Sequence, residues 1–397
     1  MHRSYMSITM ITLALAGKPN CGKSTFFKAA TLAEVEIANY PFTTIDANHG
    51  VAYVRVPCPC RELGLECGQC IDGVRFIGVG LVDVAGLVPD AHLGKGLGNQ
   101  FLDHLRSADA IIQVVDVSGS TDAEGNPVDP GSHDPMVDVR FLRYEMAMWV
   151  SGIIEKHLPR LARAAQGKEP ALIEHLADAL AGLAISAEDI RAAVDATDVD
   201  LFKADVDALC RFSDALVSIN KPMVVLLNKA DMATDEMLKP LPPEMIRATA
   251  AGELALRNAA AAGLIGYLPG DSDFTEIESA QMTPQQKKGL SMLRDQMRRF
   301  NGTGIQQTVN HAVFSTLRMI VVYPVEDETH FTDGKDRVLP DAFLMKEGSN
   351  PRDLAFQVHT DIGKGFLHAI DARTKMRIKD TTELKNGDII RIVSAAK

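Results

Sequence analysis

The chain has 397 residues, 46% of them hydrophobic and 23% charged, and its formal net charge is −11. A chain of this size is expected to bury a sizeable core and to fold as two or three domains. The acidic balance excludes nucleic-acid binding through bulk positive charge, so any such contact requires a local basic face. Six cysteines do not suit a disulfide framework in so long a chain, and no apolar run is long enough to span a membrane. We therefore expect a soluble cytoplasmic protein.

The first predicted element is a buried strand, Thr12–Ala16, and the sequence Gly-x-x-x-x-Gly-Lys-Ser follows it directly. Together with the helix-compatible stretch from Thr25, this is the pattern of a phosphate-binding P-loop. Gly17 and Gly22 allow the turn, and the backbone N–H groups of such a loop converge on phosphate oxygens. The predicted phosphate-binding residues are Gly17, Lys18, Pro19, Asn20, Cys21, Gly22, Lys23, Ser24 and Thr25.

Four residues carry the predicted phosphate chemistry. Lys23 is expected to contact the β- and γ-phosphates, and the Ser24 hydroxyl to ligate Mg²⁺. Asp83 follows the apolar run Phe76–Val82, where its carboxylate can hold Mg²⁺ through water. Gly86 can offer its N–H to the γ-phosphate. The sequence thus predicts a magnesium-dependent site in which Lys23 and Gly86 are catalytic.

A base-reading motif is predicted after another apolar run, Met223–Leu227. Asp231 can accept hydrogen bonds from the ring N–H and the exocyclic amine of guanine, whereas adenine lacks this pair of donors. The motif therefore predicts GTP rather than ATP. Backbone N–H groups near Thr249 are expected to add a further base contact. The predicted base-binding residues are Asn228, Lys229, Asp231, Thr249, Ala250 and Ala251.

The alternation of short apolar runs with helical segments predicts an α/β fold, a P-loop NTPase G domain with a doubly wound, mostly parallel sheet. The run Ala110–Val115 is a further buried strand, and His49–Val56 alternates as an edge or hairpin strand does. Between Asp83 and Asn228 the chain is far longer than a βαβ unit of about 30 residues requires. We predict a G domain over residues 9–133 and 208–305 and a helical insertion over 134–207, in which Ser186 opens a helix with a capping box.

The remaining residues, 306–397, predict a small β-grasp domain with several strands and one helix. Asn386-Gly387 is typical of a hairpin turn, and Ser349 is expected to cap the helix. The predicted strands and helix are Met319–Val325, Pro351–His359, Phe366–Ile370 and Ile389–Val393.

Several of these motifs together resemble the Obg-related GTPases, specifically the YchF-like branch. They are Tyr40-Pro-Phe-Thr-Thr-Ile45, Asp83-Val-Ala-Gly-Leu-Val88, Gly94-Lys-Gly-Leu-Gly-Asn99 and Val115-Asp-Val-Ser-Gly119, together with the terminal domain. The resemblance covers nearly the whole chain, and in this family the C-terminal module is called TGS. It implies a GTP-hydrolysing switch of the translation-factor class that associates with the ribosome or with RNA through its TGS and helical domains. A monomer is expected.

The resemblance also implies site residues. Thr44, or failing that Thr43, is the switch threonine that ligates Mg²⁺. Members of the branch commonly carry Glu in the base-reading motif and prefer ATP, and Asp231 departs from them in favour of GTP. An ATP-preferring member and a nucleotide-sensing RNA or ribosome adaptor with incidental hydrolysis remain the alternatives, whereas the same motif counts against a metabolic phosphotransferase.

The source of catalysis stays open, because Leu87 stands where Ras-like enzymes have a water-orienting Gln. Asn20 is one candidate: related GTPases with Asn at this position bind K⁺, which supplies positive charge to the transition state. The alternative is that Asn20 only braces the loop. His92 is the other candidate, either as a residue that positions water or as a solvent-facing loop histidine.

Two further clusters are open to two interpretations each. Cys58, Cys60, Cys67 and Cys70 are paired as C-x-C and C-x-x-C, which suits one tetrahedral Zn²⁺ site or a thiol-rich loop kept reduced. Cys21 is interpreted as a small filler of the P-loop, and Cys210 as part of a helix core. Basic residues alternate along a strand-like stretch and predict a face that meets RNA phosphates or only solvent. They are Arg373, Lys375, Arg377 and Lys379.

Overall fold

The structure is a computed structural model, and it describes residues 10–31, 48–84, 86 and 106–395. Within these residues the largest sheet has six strands in the order β2-β3-β1-β4-β5-β6, with β2 antiparallel to β3 and the other neighbours parallel. Its strands are β1 (Thr12–Ala16), β2 (His49–Pro57), β3 (Val74–Asp83), β4 (Ala110–Asp116), β5 (Met223–Asn228) and β6 (Ile246–Arg247).

Apolar side chains on both faces explain why the central strands form. Leu13 and Leu15 of β1 are fully buried on one face of the sheet, and Ala14 and Ala16 on the other. Each leucine contributes about 1.5–3 kcal/mol by leaving water. The strand order changes direction at β1, which lies between β3 and β4. In such sheets ligands bind outside the carboxyl ends of the strands at this point. The register pairs Leu15 with Asp83 and Asp116 with Asn228, so these polar residues share that edge.

A layer of helices fills the chain between β4 and β5. Asp134 caps the 31-residue α2 by accepting from the Met136 N–H, and Ser186 forms the predicted capping box with Asp189 at the start of α4. The helices of this part and the P-loop helix are α1 (Lys23–Thr31), α2 (Pro135–Ala165), α3 (Glu169–Leu180), α4 (Ala187–Thr197) and α5 (Val206–Asn220). Their apolar faces form one core, in which Ile154 and Leu172 are fully buried.

In the described residues no single helix is long and apolar enough to cross a membrane. The segments Glu169–Leu183 and Ala187–Thr197, bent by 114°, pass that test only when the two are counted together.

A short helix, α6 (Asp235–Leu238), precedes β6, and α9 (Ile305–Asn310) ends this part of the chain. Between β6 and α9, the elements that pack around Leu256 and Phe274 are α7 (Ala250–Ala261), the hairpin of β7 (Ile265–Gly266) and β8 (Thr275–Glu276), and α8 (Pro284–Phe300).

The C-terminal part is a mixed sheet in the order β10-β9-β13-β11-β12, with β9 and β13 parallel. Leu354 of α10 is fully buried against this sheet in a cluster with Val322 and Ile390. Its elements are β9 (Met319–Val325), β10 (Phe343–Lys346), α10 (Pro351–Val358), α11 (Thr360–Lys364), β11 (Phe366–Asp371), β12 (Met376–Ile378) and β13 (Asp388–Ser394). The fold class is therefore the predicted one, a P-loop G domain with helices and a C-terminal sheet domain.

Two local predictions in this part are wrong. The cap of α10 is Asn350 and not Ser349, because the Asn350 side chain accepts from the N–H groups of Arg352 and Asp353. Asn386-Gly387 does not form a hairpin turn, since β12 and β13 are not paired. Asn386 instead accepts a hydrogen bond from the Val321 N–H and so joins the start of β13 to β9.

Candidate functional site

The P-loop lies at the carboxyl end of β1 and leads into α1, as the motif predicts. Both of its outer glycines are needed: φ is +151° at Gly17 and +102° at Gly22, and a Cβ would strike the Val114 carbonyl and the Asn228 amide respectively. Lys23 is buried, and its Nζ donates to the carbonyls of Gly17 (3.1 Å) and Lys18 (2.8 Å). The ammonium is therefore held across the loop that is expected to receive the phosphates.

A partly satisfied carboxylate faces the start of α1. The Ser24 hydroxyl donates to Asp83 Oδ2 at 2.8 Å, and Asp83 Oδ1 is buried with no hydrogen-bond partner among the described residues. A buried carboxylate oxygen without a partner costs free energy unless a donor or a cation meets it. A hydroxyl and a carboxylate are hard oxygen ligands, so this pair fits Mg²⁺. Gly86 lies against the P-loop, where a Cβ would come within 2.9 Å of the Pro19 nitrogen.

Asn228 connects the base-reading motif to the P-loop. Its side-chain Nδ2 donates to the Cys21 carbonyl at 2.9 Å, and its Oδ1 accepts from the Ala250 N–H at 3.1 Å. Thr249 caps α7 and donates its own N–H to the Thr303 carbonyl at 2.9 Å. Two of the three N–H groups predicted to contact the base thus already have protein partners, and Asn228 sets the spacing between the P-loop and the predicted base site.

Lys229 and Asp231 lie on either side of a tight turn. Lys229 has φ of 61°, and its Nζ is 2.8 Å from Asp116 Oδ2. Asp231 is half-buried in a short 3₁₀ turn, and none of the described residues hydrogen-bonds its carboxylate. The turn therefore presents a free acceptor pair at the carboxyl edge of the sheet.

Asp116 is a buried anchor to which the sequence analysis gave no role, although it lies within the motif Val115-Asp-Val-Ser-Gly119. Hydroxyl groups of Ser118, Ser120 and Thr121 donate to its carboxylate, as does Lys229. Burial opposes ionisation, but these donors and the Lys229 charge together bring the pKa of Asp116 below its ordinary value. The ionised carboxylate fixes the Lys229 side chain beside the predicted base site.

A second buried ion pair joins the P-loop to the helical layer. Lys18 Nζ lies 2.8 Å from Asp138 Oδ2 of α2 and also donates to the Thr121 carbonyl. His133 Nε2 lies 2.8 Å from the other oxygen of Asp138. Lys18 is only 3% exposed. Because Lys18 and Asp138 are far apart in sequence, no local motif predicts this contact.

Asn20 and Cys21 occupy the middle of the loop. Asn20 has φ of 60° and donates its Nδ2 to the Gly125 carbonyl at 3.0 Å, which is the bracing contact. Its Oδ1 has no hydrogen-bond partner among the described residues. Cys21 is fully buried, and burial raises the pKa of its thiol, so it fills space as predicted. The predicted Mg²⁺ ligand Thr44 (or Thr43), Leu87 and His92 all lie outside the described residues.

The four clustered cysteines converge between β2 and β3. Their sulfur atoms all lie within 4.8 Å of one another, and the closest pairs are 3.5–3.7 Å apart. Burial and hydrogen bonding to neighbouring thiols raise the pKa of Cys60 and Cys70 to about 11. At Cys67 burial is outweighed by the Gln69 N–H and the surrounding thiols, which lower the pKa to about 7.

The prediction that four basic residues of the C-terminal domain share one strand face is wrong. Only Arg377 lies in β12, and Lys375 has φ of 62° in the turn before it. Arg373 pairs with Glu62 at 2.9 Å, and the Lys375 ammonium lies 4.8 Å from the Phe331 ring. The turn at residues 372–375 breaks the two-residue period. All four side chains are exposed, and Arg377 and Lys379 are the two with no ion-pair or ring partner among the described residues.

Three family models match the chain. The model "Obg-like GTPase YGR210-like, G4 motif-containing domain" matches residues 226–327, "50S ribosome-binding GTPase" matches 12–137, and "TGS domain" matches 335–394. The first contains the base-reading motif, the second contains the P-loop, and the third contains β10 to β13. Nucleotide hydrolysis and the use of Mg²⁺ are general properties of such P-loop proteins.

Related proteins match over almost the whole chain. A GTP-binding protein of Methanocaldococcus jannaschii is 47% identical over 398 residues, which covers 98% of this chain and 100% of the relative. The ribosome-binding ATPase YchF of Bacillus subtilis is 29% identical over 364 residues, or 90% of this chain and 87% of the relative. The crystal structure of a GTP-binding protein from Pyrococcus horikoshii has a TM-score of 0.75 at 39% identity and covers 97% of this chain and 100% of that one. The chain therefore belongs to the YchF/Obg-like family of P-loop GTP-binding proteins.

Proposed function

We propose that the protein is a GTP-selective, Mg²⁺-dependent hydrolase that acts as a switch in translation and associates with the ribosome or with RNA in the cytoplasm. The observation that carries the nucleotide choice is the Asp231 carboxylate. It has no hydrogen-bond partner in the part of the chain that the structure describes, while Asn228 and Lys229 on the same turn contact the P-loop and Asp116. The relative with 47% identity is named a GTP-binding protein, whereas the 29% identical one is named an ATPase.

The preference for guanine follows from the hydrogen bonds that each base can donate to Asp231. The two oxygens of Asp231 match the N1–H and the exocyclic amine of guanine. With adenine the carboxylate would be desolvated without donors, at a cost of about 1–3 kcal/mol, or roughly 5- to 150-fold in affinity. Of the backbone N–H groups at Thr249–Ala251, that of Ala251 would complete the contact with the base, because those of Thr249 and Ala250 donate to Thr303 and Asn228.

Binding of GDP and ADP to three forms of the chain tests this proposal. Wild type and Glu236→Gln, an exposed neighbour on α6, should both prefer GDP by calorimetry. Asp231→Asn should lose the preference for GDP and gain affinity for XDP, because xanthine presents a carbonyl where guanine has its amine. The gain would separate lost recognition from lost folding. Equal affinities of wild type for GDP and ADP would contradict GTP selectivity.

Each residue at the phosphate-binding end of the site has a separate proposed role in hydrolysis. Lys23 would leave the two loop carbonyls for the β- and γ-phosphate oxygens and stabilise the charge that develops during transfer. Ser24 and Asp83 would hold Mg²⁺, which neutralises the phosphates when bound. The Gly86 N–H would contact the γ-phosphate, and Thr44 (or Thr43) would close over the metal. These roles suit a site in which positioning and electrostatics supply most of the rate.

A monovalent cation is proposed in place of the missing glutamine. Because Nδ2 of Asn20 is committed to Gly125, the Oδ1 end of the amide is the available ligand, and K⁺ bound there would add positive charge near the β–γ bridge. His92 is the rival, as a residue that positions the attacking water.

Zinc is the third proposed cofactor. Tetrahedral zinc thiolates have Zn–S bonds of about 2.3 Å, which puts the sulfurs about 3.8 Å apart. The observed separations of 3.5–3.7 Å between the closest pairs support a Zn²⁺ ion bound by Cys58, Cys60, Cys67 and Cys70.

A further inference from the structure

We propose that the four-cysteine site and Arg75 together form a zinc-dependent joint that docks the C-terminal domain on the nucleotide-binding domain. This inference rests on the proposed function only for the bound zinc ion. We call residues 58–73, which carry the four cysteines between β2 and β3, the cysteine knuckle. The knuckle has no helix or strand of its own beyond an isolated bridge between Ile71 and Val74.

The first support is the charge balance of Arg75. This residue begins the buried part of β3 and is only 4% exposed. Its Nη1 lies 3.8 Å from Cys67 Sγ, and no carboxylate among the described residues pairs with it. A buried guanidinium needs an anion nearby, and four thiolates around one Zn²⁺ carry a net charge of −2. Zinc binding releases the thiol protons and so supplies that anion.

The second support is what the other side of Arg75 contacts. Its Nη2 donates to the carbonyls of Leu339 (2.8 Å) and Pro340 (3.0 Å), which precede β10. The guanidinium carbon lies 5.9 Å from the centroid of the Tyr323 ring in β9. One side chain thus connects a cluster sulfur to two segments of the C-terminal domain.

The knuckle makes further contacts with the same domain. Glu62 pairs with Arg373 at 2.9 Å on the outside of the joint. On the inside, three of the cysteines share one hydrophobic cluster with Tyr323, Leu339 and Ile389 of the C-terminal part. A segment of this length with little core cannot hold such a surface by packing alone, and a structural zinc ion supplies the missing stabilisation.

The position of β3 sets a limit on what the joint controls. Arg75 lies at the start of this strand and Asp83 at its end, about 26 Å apart at roughly 3.3 Å per residue. Zinc removal should therefore release the C-terminal domain without emptying the nucleotide site. GDP affinity then serves as an internal control on the same preparations.

The test measures metal content and hydrogen exchange on the full chain, purified under reducing conditions. We expect one zinc per wild-type chain. After chelation, exchange at residues 331–340 should accelerate at least tenfold, and zinc chloride should restore the slow rate. Cys67→Ser should lack zinc and exchange fast. Cys210→Ser, a cysteine of α5 outside the knuckle, should behave as wild type.

Arg75→Met separates the joint from the metal. It leaves all four ligands intact, so it should retain one zinc and bind GDP within twofold of wild type, yet show the fast exchange at residues 331–340. Zinc that is absent from the wild type, or zinc whose removal leaves this exchange unchanged, would overturn the proposal. A chain that shows the zinc effect but no preference for GDP over ADP would contradict GTP selectivity alone.

Discussion

Lys23 is the P-loop cation that we propose to bind the phosphates. Among the described residues its ammonium is held by loop carbonyls and not by a carboxylate, so removing it should break no buried ion pair. Lys23→Ala should therefore lower GTP turnover by at least two orders of magnitude, of the order reported for a lost transition-state contact, while the melting temperature changes little. The measurements are the rate of phosphate release from GTP and the melting temperature in thermal unfolding. Lys28→Ala, an exposed lysine of the same helix, is the matched control. Near-normal turnover in Lys23→Ala would remove the loop from the mechanism.

Substitution of Asn20 tests how hydrolysis is catalysed when Leu87 stands in place of the water-orienting glutamine. If the Asn20 amide oxygen holds a cation beside the phosphates, K⁺ should raise turnover at least tenfold over Na⁺ at equal ionic strength, where screening is the same. Asn20→Ala should flatten that difference and leave GDP affinity nearly intact.

His92→Ala is the rival experiment to the potassium test. A histidine that positions water would lower the rate in both salts alike when it is removed. Equal rates in K⁺ and Na⁺ in the wild type, with failure of His92→Ala, would replace the potassium mechanism by the histidine.

At the scale of elements, the contact between Lys18 and Asp138 fastens the P-loop to α2. Both side chains are under a tenth exposed, so removing one partner leaves the other charge buried and unpaired. We expect Asp138→Ala to lower the free energy of unfolding by about 3–5 kcal/mol, because that is the usual cost of an orphaned buried charge. Denaturant unfolding of the apo protein measures it.

Arg140→Ala is the control for that experiment, because Arg140 lies one half-turn along α2 and its pair with Asp134 is exposed and 3.8 Å long. An exposed pair is worth about 0–1 kcal/mol. If Asp138→Ala costs no more than Arg140→Ala, the Lys18 charge is not effectively buried.

The elements that sequence reasoning predicted well are those with a strong local signal. The bounds of β1 and β9 agree with the apolar runs, because a buried strand needs a continuous run and ends where polar or turn residues begin. The Ser186 capping box depends on four adjacent residues and was predicted correctly. Ser349 was mistaken for a cap because Asn350 beside it is an equally good one, and the choice is made by how the chain enters the helix.

Sequence reasoning could not find the contacts between distant residues. Arg75 at the start of a buried strand carries no motif, and its partners at Leu339 and Pro340 come from another domain. Asp138 is an acidic residue in the first turn of α2, a common place for one in any helix, and its position opposite Lys18 depends on how the helical layer packs. The P-loop and the base-reading motif could be recognised because the residues of each motif are adjacent in sequence.

At the scale of the whole molecule, charge is distributed unevenly. Residues 306–397 contain as many basic as acidic side chains, so the rest of the chain carries the net charge of −11. Phosphates of RNA are repelled least by the C-terminal part, where Arg377 and Lys379 are exposed. A ribosome contact through this domain should therefore weaken as salt rises, with a small slope because few cations take part.

Co-sedimentation with ribosomes of the source organism tests both the contact and the switch. The GTP-analogue form should sediment with ribosomes more than the GDP form, and ribosomes should accelerate GTP turnover, because a switch is read by a partner that favours one nucleotide state. Arg377→Glu with Lys379→Glu should reduce sedimentation severalfold through repulsion of RNA phosphates. Lys287→Glu with Lys288→Glu, two exposed lysines of α8, changes the net charge equally and should have little effect. Sedimentation that ignores the nucleotide, with turnover that ribosomes do not change, would favour an adaptor whose hydrolysis is incidental.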